Sequence, residues 1–355
     1  MNSKSKLLQS LIKIPSPSGN ELKFVSFIRK YLLQFVPVKK MLIDTHYNLI
    51  VKIKGVSDQK SIMIDAHADT IGFLVNNVDK EGYISLISLG GHNKALLRGR
   101  HVTIITDKKY INGVIGLRPP HLIDDEDEEN GVPNKIEEVT VDIGVRKRKQ
   151  VRRYVKVGDY VVFKPIFTEL LEDFYSGYGF DDKSGCFMLI ETIKEIVKSK
   201  RKPPYDLYFT FSTQEELGCK GAKELVCRYK PNLYIGVDVT FATDVEEVDE
   251  RDAGRCELGK GIVIYRGVNI DKTGEKKLLS ISRRHKIKVQ YQATNGIGFN
   301  ADEVASMVGG LKILNIAIPL RNMHSSVEVV HMKDLNYGIK LLKHFLLSNN
   351  LKSVI

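Results

Sequence analysis

The chain has 355 residues, with 54 Lys and Arg against 43 Asp and Glu and a formal charge of +11. A hydrophobic fraction of 43% and a charged fraction of 27% exclude a mostly disordered chain, a collagen-like chain and a coiled coil. The length allows about two domains, and a large core can hold them without disulfides. Cys186, Cys219, Cys227 and Cys256 are too sparse for a disulfide scaffold. Residues 1–13 lack the apolar stretch of a signal peptide, and no window reaches the roughly 18 uncharged apolar residues of a membrane span. A cytoplasmic location is therefore expected.

Residues 3–13 and 20–35 read as helices, joined by the turn Pro15-Ser16-Pro17-Ser18-Gly19. Strands are expected at 48–54 and 61–66. The character then changes. Short β-rich runs at 72–78, 83–87, 101–106, 111–115, 139–143 and 160–163 are separated by Gly, Asp and Lys, with no long helical period. This suits a small all-β barrel domain, 73–165, inserted between the two parts, 1–72 and 166–355, of a larger domain. Beyond it come helix 184–198, strand 207–213, helix 221–229 and strand 233–239. A helix ending at 306–310, strand 314–318 and a terminal helix 333–349 follow. The alternation implies an α/β domain with a mixed, largely parallel sheet covered by helices on both faces. Sites in such sheets lie at the carboxyl ends of strands.

The excess charge is clumped at Lys198–Lys202, Arg146–Arg153 and Arg283–Lys286. These runs lack interleaved aromatics and match no nucleic-acid motif, so they read as solvated loops and helix ends, with no nucleic-acid partner and no membrane partner. The acidic run 124–129 opposes one uniform basic face and reads as a mobile exposed loop.

Five segments concentrate residues able to carry chemistry. His67 and Asp69 stand two apart at the end of an apolar strand, where they share a face. A carboxylate there can accept the imidazole's second N–H. Asp181 and Asp182 lie between two glycines just before a helix; an N-cap needs only one of them. Glu215 and Glu216 follow a buried strand, and their side chains diverge, so one can ligate a metal while the other faces its water. Asp238 ends a buried strand, and His324 follows another. Two histidines with several carboxylates suit a pair of divalent ions such as zinc, cobalt or manganese. No HExxH, Walker loop, G-x-S-x-G or dinucleotide fingerprint is present.

The order and spacing of these segments resemble the M42 family of metallo-aminopeptidases, over essentially the whole chain. The likeness rests on Ile14-Pro15-Ser16-Pro17-Ser18-Gly19-Asn20-Glu21, Ala66-His67-Ala68-Asp69-Thr70-Ile71-Gly72-Phe73 and Gly113-Val114-Ile115-Gly116 with Pro119-Pro120-His121-Leu122. It rests also on Gln214-Glu215-Glu216-Leu217-Gly218 and Met323-His324-Ser325-Ser326-Val327-Glu328. The resemblance implies that His67 and Asp238 hold one metal, Glu216 and His324 the other, and that Asp181 bridges both. It implies Glu215 as general base, Asp69 as the group orienting His67, and a cis peptide at Asp181-Asp182. Two divalent ions, zinc foremost, would serve hydrolysis of N-terminal residues from short peptides. Dimers assembling into a hollow dodecamer, with contacts from the inserted domain, are also implied. Thr70, Lys183 and Gly298-Phe299-Asn300-Ala301 depart from the family's usual Glu, Arg and Gly-Thr-Asp-Ala.

Rival readings are a related carboxypeptidase or deacylase, an endoglucanase-type glycoside hydrolase, and a non-enzymatic nucleic-acid-binding protein. The first places its extra domain after the Glu-Glu segment, whereas here it follows His67-Ala68-Asp69. The second needs two carboxyls across a glycosidic bond and no histidine ligands.

Overall fold

In the computed structural model, which describes residues 3–117, 119, 121, 135–296 and 298–355, strand β3 (Ser57–His67) carries six consecutive buried residues, 62–67. The acidic run 124–129 lies outside the described residues. Burial that ignores the two-residue alternation of a strand requires cover on both faces of a sheet. β3 is fourth in an eight-stranded sheet of order β1 (Met41–Ile43), β2 (Leu49–Ile53), β12 (Tyr205–Ser212), β3, β13 (Leu233–Phe241), β16 (Lys312–Leu320), β14 (Ile262–Gly267) and β15 (Val289–Thr294). The four strands from β12 to β16 are mutually parallel, as are β14 and β15. The pairings β1–β2, β2–β12 and β14–β16 are antiparallel, so the sheet is mixed.

Helix α3 (Phe180–Lys198) lies against β3 and β13 and is itself packed by α1 (Ser3–Ile12), α2 (Leu22–Leu32) and the last long helix, α6 (Met332–Leu346). Gly338 of α6 allows that approach, since a Cβ there would meet Met188 Cε at 2.4 Å. Helix α4 (Lys220–Tyr229) rests on β12, and the short helix Asn300–Val304 packs on β13, with Ala301 over Gly236. Helix α5 (Lys272–Arg284) packs against α6.

The β-rich stretch closes into an antiparallel barrel of order β4 (Gly72–Val78), β5 (Ile84–Leu89), β8 (Thr140–Asp142), β7 (Tyr110–Ile115), β6 (His101–Ile105) and β9 (Tyr160–Phe163). Its core, with Phe73, Leu86, Val102, Ile104, Val141 and Val161, is separate from the core around the large sheet. A third sheet joins β10 (Phe167–Glu169), β11 (Phe174–Gly177) and β17 (Glu328–His331) in antiparallel order.

Several elements differ from the sequence expectation. β14, α5 and β15 fill a stretch to which no periodicity assigned elements. β15 lies at the sheet edge with one side wet, so Val-Gln-Tyr-Gln-Ala-Thr shows little apolar alternation. β10, β11 and β17 have three or four residues each, too few to show a period. The helix expected to end at 306–310 stops at Val304 and is followed by a single 3-10 turn, Met307–Gly309. Among the described residues, the insert contains a short α-helix, Arg148–Val151.

The start of α4 is fixed by a close approach. Gly221 N donates to Thr213 O at 3.0 Å, and a Cβ at Gly221 would lie 2.5 Å from Thr213 N and 2.4 Å from Asn48 Oδ1. Gly221→Ala must therefore displace backbone at the exit of β12. A loss of about 1–3 kcal/mol is expected, read as a lower midpoint in thermal unfolding beside the wild type.

Candidate metal centre

Strand register assembles the first part of the site. Ser212 of β12 pairs with His67, and Gly236 of β13 pairs with Asp65, so His67, Ser212 and Asp238 lie at one level, where β3 and β12 end while β13, expected to end at Asp238, runs on to Phe241. His67 Nε2 lies 3.0 Å from Asp181 Oδ1 and 3.7 Å from Asp238 Oδ1. Its Nδ1 lies 3.1 Å from the backbone carbonyl of Asp69 and 3.5 Å from that residue's carboxylate. Asp69 thus orients the ring first through its main chain.

The Asp69 carboxylate is engaged elsewhere. It accepts Glu215 N at 3.0 Å, Glu216 N at 3.2 Å and the Ser18 hydroxyl at 2.5 Å. Both glutamates are thereby fixed by their main chain, with their side chains left for the cavity. The paired aspartates divide two tasks. Asp182 accepts Gly185 N at 2.8 Å and caps the first regular turn of α3. Asp181, joined to it by a cis peptide and non-helical in φ and ψ, turns into the site. There its Oδ1 meets His67, and its Oδ2 lies 3.3 Å from His324 Nε2.

Glu328 holds this arrangement from behind. β17 pairs with β11 so that Glu328 stands opposite Gly177. One oxygen then accepts Gly179 N at 2.9 Å, Phe180 N at 2.7 Å and Asp181 N at 3.4 Å; the other accepts His324 N at 3.0 Å. A single buried carboxylate therefore positions both the aspartate and the second histidine. The residue was visible in the Met323–Glu328 segment, but nothing in its spacing announced this role. Ser18 and Glu21 were missed likewise. Glu21 accepts Gly19 N at 2.7 Å and Gln214 N at 3.3 Å, tying the N-terminal turn to the glutamate segment. A buried acid directly after a Pro/Ser/Gly turn was the available signal.

The electrostatics follow from packing acids into a dry place. Burial would lower His67, but hydrogen bonds to Asp181, Asp238 and Asp69 raise it well above its ordinary value. Burial likewise opposes charge on His324, and Asp181 and Glu216 carry it up to about 9. Burial would raise Asp181, yet the two imidazoles hold it below the ordinary carboxylate range. Burial raises Asp238 and, with repulsion from Asp181, pushes Glu216 well up. Burial also pushes Glu215 up to about 8, His67 opposing and Asp238 adding.

The donor set fits divalent metal. Three groups, His67/Asp181/Asp238, His67/Glu215/Glu216 and Asp181/Glu216/His324, each place their ligand atoms within 4.8 Å of one another. Buried Glu216 Oε1 has no hydrogen-bond partner among the described residues. Imidazole nitrogens with carboxylate oxygens are the ligands zinc and its neighbours take. The cluster opens on a cavity of about 780 Å³. The barrel approaches the same ligands from another side. A Cβ at Gly90 would lie 3.1 Å from Glu216 Oε2, and one at Gly91 would lie 3.4 Å from His324 Nδ1. His92, beside them, stacks on Phe73 at 4.1 Å and bonds the Gly72 carbonyl at 2.8 Å, anchoring this loop.

The sequence model of the M42 glutamyl aminopeptidase family matches residues 47–341. The lysyl aminopeptidase of Pyrococcus furiosus is 30% identical over 96% of both chains. A crystal structure of a TET aminopeptidase from a marine-sediment thaumarchaeon superposes with a TM-score of 0.92 at 25% identity, over 99% of this chain and 98% of that one. The TET1 peptidase of Pyrococcus horikoshii, which can assemble into a tetrahedron or a large octahedral shell, gives 0.86 at 30% identity, over 98% and 100%. Among the described residues no helix is long and apolar enough to cross a membrane.

Metal uptake should release protons. Near neutral pH the metal-free site holds them on His67, His324 and Glu216, whose affinities for protons are strongly raised, and ligation requires the deprotonated forms. Affinity for zinc should therefore rise from about pH 6 to about pH 8. Calorimetric titration with zinc chloride in two buffers of different ionisation enthalpy should give different heats. Equal heats would mean that the site binds without losing protons, contrary to the expectation.

Proposed function

This chain belongs to the M42 glutamyl aminopeptidase family and is a hydrolase that removes N-terminal residues from peptides, and on that premise we propose that it works with two divalent ions and a glutamate base. The observation that carries the proposal is Asp181, whose two oxygens face two different histidines. His67 and Asp238 would hold one ion, Glu216 and His324 the other, and Asp181 both. Zinc is the first choice for this donor set, with cobalt or manganese as alternatives. When bound, the ions would lower the pKa of the attacking water and polarise the scissile carbonyl.

The remaining work falls to the chain. Asp69 and Glu328 fix the ligands through main-chain hydrogen bonds, so the carboxylates need not reorganise during reaction. Glu215 lies beside the ligands, buried and with an affinity for protons near neutrality. It would take the proton of the water and pass it to the leaving amine. The geometry of His67/Glu215/Glu216 also permits Glu215 as a ligand, and one variant separates the two roles. Glu215→Gln should lower kcat by about 10²–10⁴-fold with metal content unchanged. Loss of an ion on elemental analysis would make Glu215 a ligand. His67→Ala and His324→Ala should each weaken a different ion.

We also propose that the chain self-assembles into dimers and a dodecamer that admit short peptides, and that residues 73–165 make assembly contacts and shape the entrance. Support for the second role is the Gly90-Gly91 loop against Glu216 and His324. Replacing 73–165 by a short Gly/Ser linker should leave a catalytic core of lower activity that no longer forms the large particle by light scattering. A full dodecamer from the linker variant would place the contacts on the remaining domain.

A further inference from the structure

The cavity continues beyond the acid–histidine cluster, and its far wall has a distinct chemistry. Phe241, Tyr265, Phe299 and Met323 line it, with the Tyr265 and Phe299 rings edge to face at 4.9 Å. Tyr265, Thr240 and Gln292 there are bonded to one another and to the main chain. The Tyr265 hydroxyl and Thr240 Oγ1 lie 2.5 Å apart, and Gln292 Oε1 accepts the Thr240 hydroxyl at 2.5 Å. Gln292 Nε2 donates to the carbonyls of Phe241 at 3.1 Å and Ala253 at 2.8 Å. None of these groups is left to recognise a substrate.

Asp252 is different. It lines the same cavity from the short helix Glu250–Ala253. The two arginines next to it are committed to other acids. Arg251 grips Asp249 through Nε at 2.9 and 3.0 Å, and Arg255 holds Glu257 at 2.7 Å. Among the described residues, no Lys or Arg lines the cavity, and none comes within ion-pair distance of Asp252. A carboxylate whose neighbouring arginines are bound to other acids lines the same cavity as the rings.

We infer that this cavity seats the side chain of the substrate's N-terminal residue and selects a long cationic one, lysine or arginine. The rings pack the aliphatic stem, which such side chains bury readily, and Asp252 accepts the charged head. An acidic side chain meets only acids and finds no cation. A leucine side chain fits the rings but forgoes Asp252. The inference rests on the aminopeptidase reading above and deepens it.

The test uses the metal-loaded enzyme and the p-nitroanilides of lysine, arginine, leucine and glutamate. Wild type should show the highest kcat/KM with lysine and arginine and the lowest with glutamate. Asp252→Asn should lower the lysine-to-leucine ratio about tenfold, the range of a hydrogen bond to a charged group. Added salt should lower the same ratio in the wild type, because Asp252 is solvent-exposed. Preference for glutamate or leucine in the wild type, or a ratio unmoved by Asp252→Asn, overturns the inference. Calorimetric binding of free L-lysine against L-norleucine, which keeps the stem and lacks the amine, reads the same contact without turnover. Lysine should bind more tightly, and Asp252→Asn should remove the difference; equal binding overturns the inference. Absence of turnover on every anilide would instead defeat the aminopeptidase reading, and the amino-acid pair would still decide the role of Asp252.

Discussion

Everything at this site answers to one difficulty, the crowding of carboxylates in a place water hardly reaches. Asp69, Asp181, Glu216, Asp238 and Glu328 are all at least mostly buried and close together. Like charges in such surroundings cannot all be ionised unless something compensates them. The chain uses two kinds of compensation. Asp69 and Glu328 are satisfied by main-chain N–H groups, and Asp69 by the Ser18 hydroxyl as well. Asp181 is held ionised between two imidazoles. Glu216 and Asp238 each face one imidazole, at 3.5 and 3.7 Å, and burial still raises both, which is where a cation would supply charge. Asp69 and Glu328 build the frame, and Asp181, Glu216 and Asp238 line the cavity.

That division explains how much could be read beforehand. His67, Asp181, Glu216, Asp238 and His324 stand at strand exits or helix starts, and a parallel sheet brings such points to one edge. Periodicity placed β3, β12, β13 and β16 well enough to reveal it. The supporting residues were harder to see. Ser18, Glu21 and Glu328 act on main-chain groups far away in sequence, and no local pattern encodes which backbone N–H an acid will meet. Asp182 shows the reverse. Its capping role was legible, and the geometry then freed Asp181 for the site. The sheet edge at β15 and the short strands of the third sheet stayed hidden because a solvated or very short strand has no apolar period to show.

The barrel shows how a separate core can still belong to a site. Its strands pack on one another through Phe73, Leu86, Val102 and Val161. Yet the loop after β5 reaches back over Glu216 and His324, and a Cβ at its Gly90 would lie 2.7 Å from Ile71 and 3.1 Å from the glutamate. His92 stacks on Phe73 and bonds the Gly72 carbonyl, which pins the loop to the first strand of the barrel. A unit with its own apolar core therefore lies directly against two of the proposed ligands.

The pairing of β17 with β11 has a consequence for the life of the chain during synthesis. Glu328 and His324 are made long after the segment 179–181 that Glu328 organises. A ribosome-bound chain that stops before His324 has no Glu328 to hold Asp181 and lacks the second histidine of the proposed centre. Contacts of such long sequence separation form late. The proposed centre is thus assembled only after Glu328 has been synthesised.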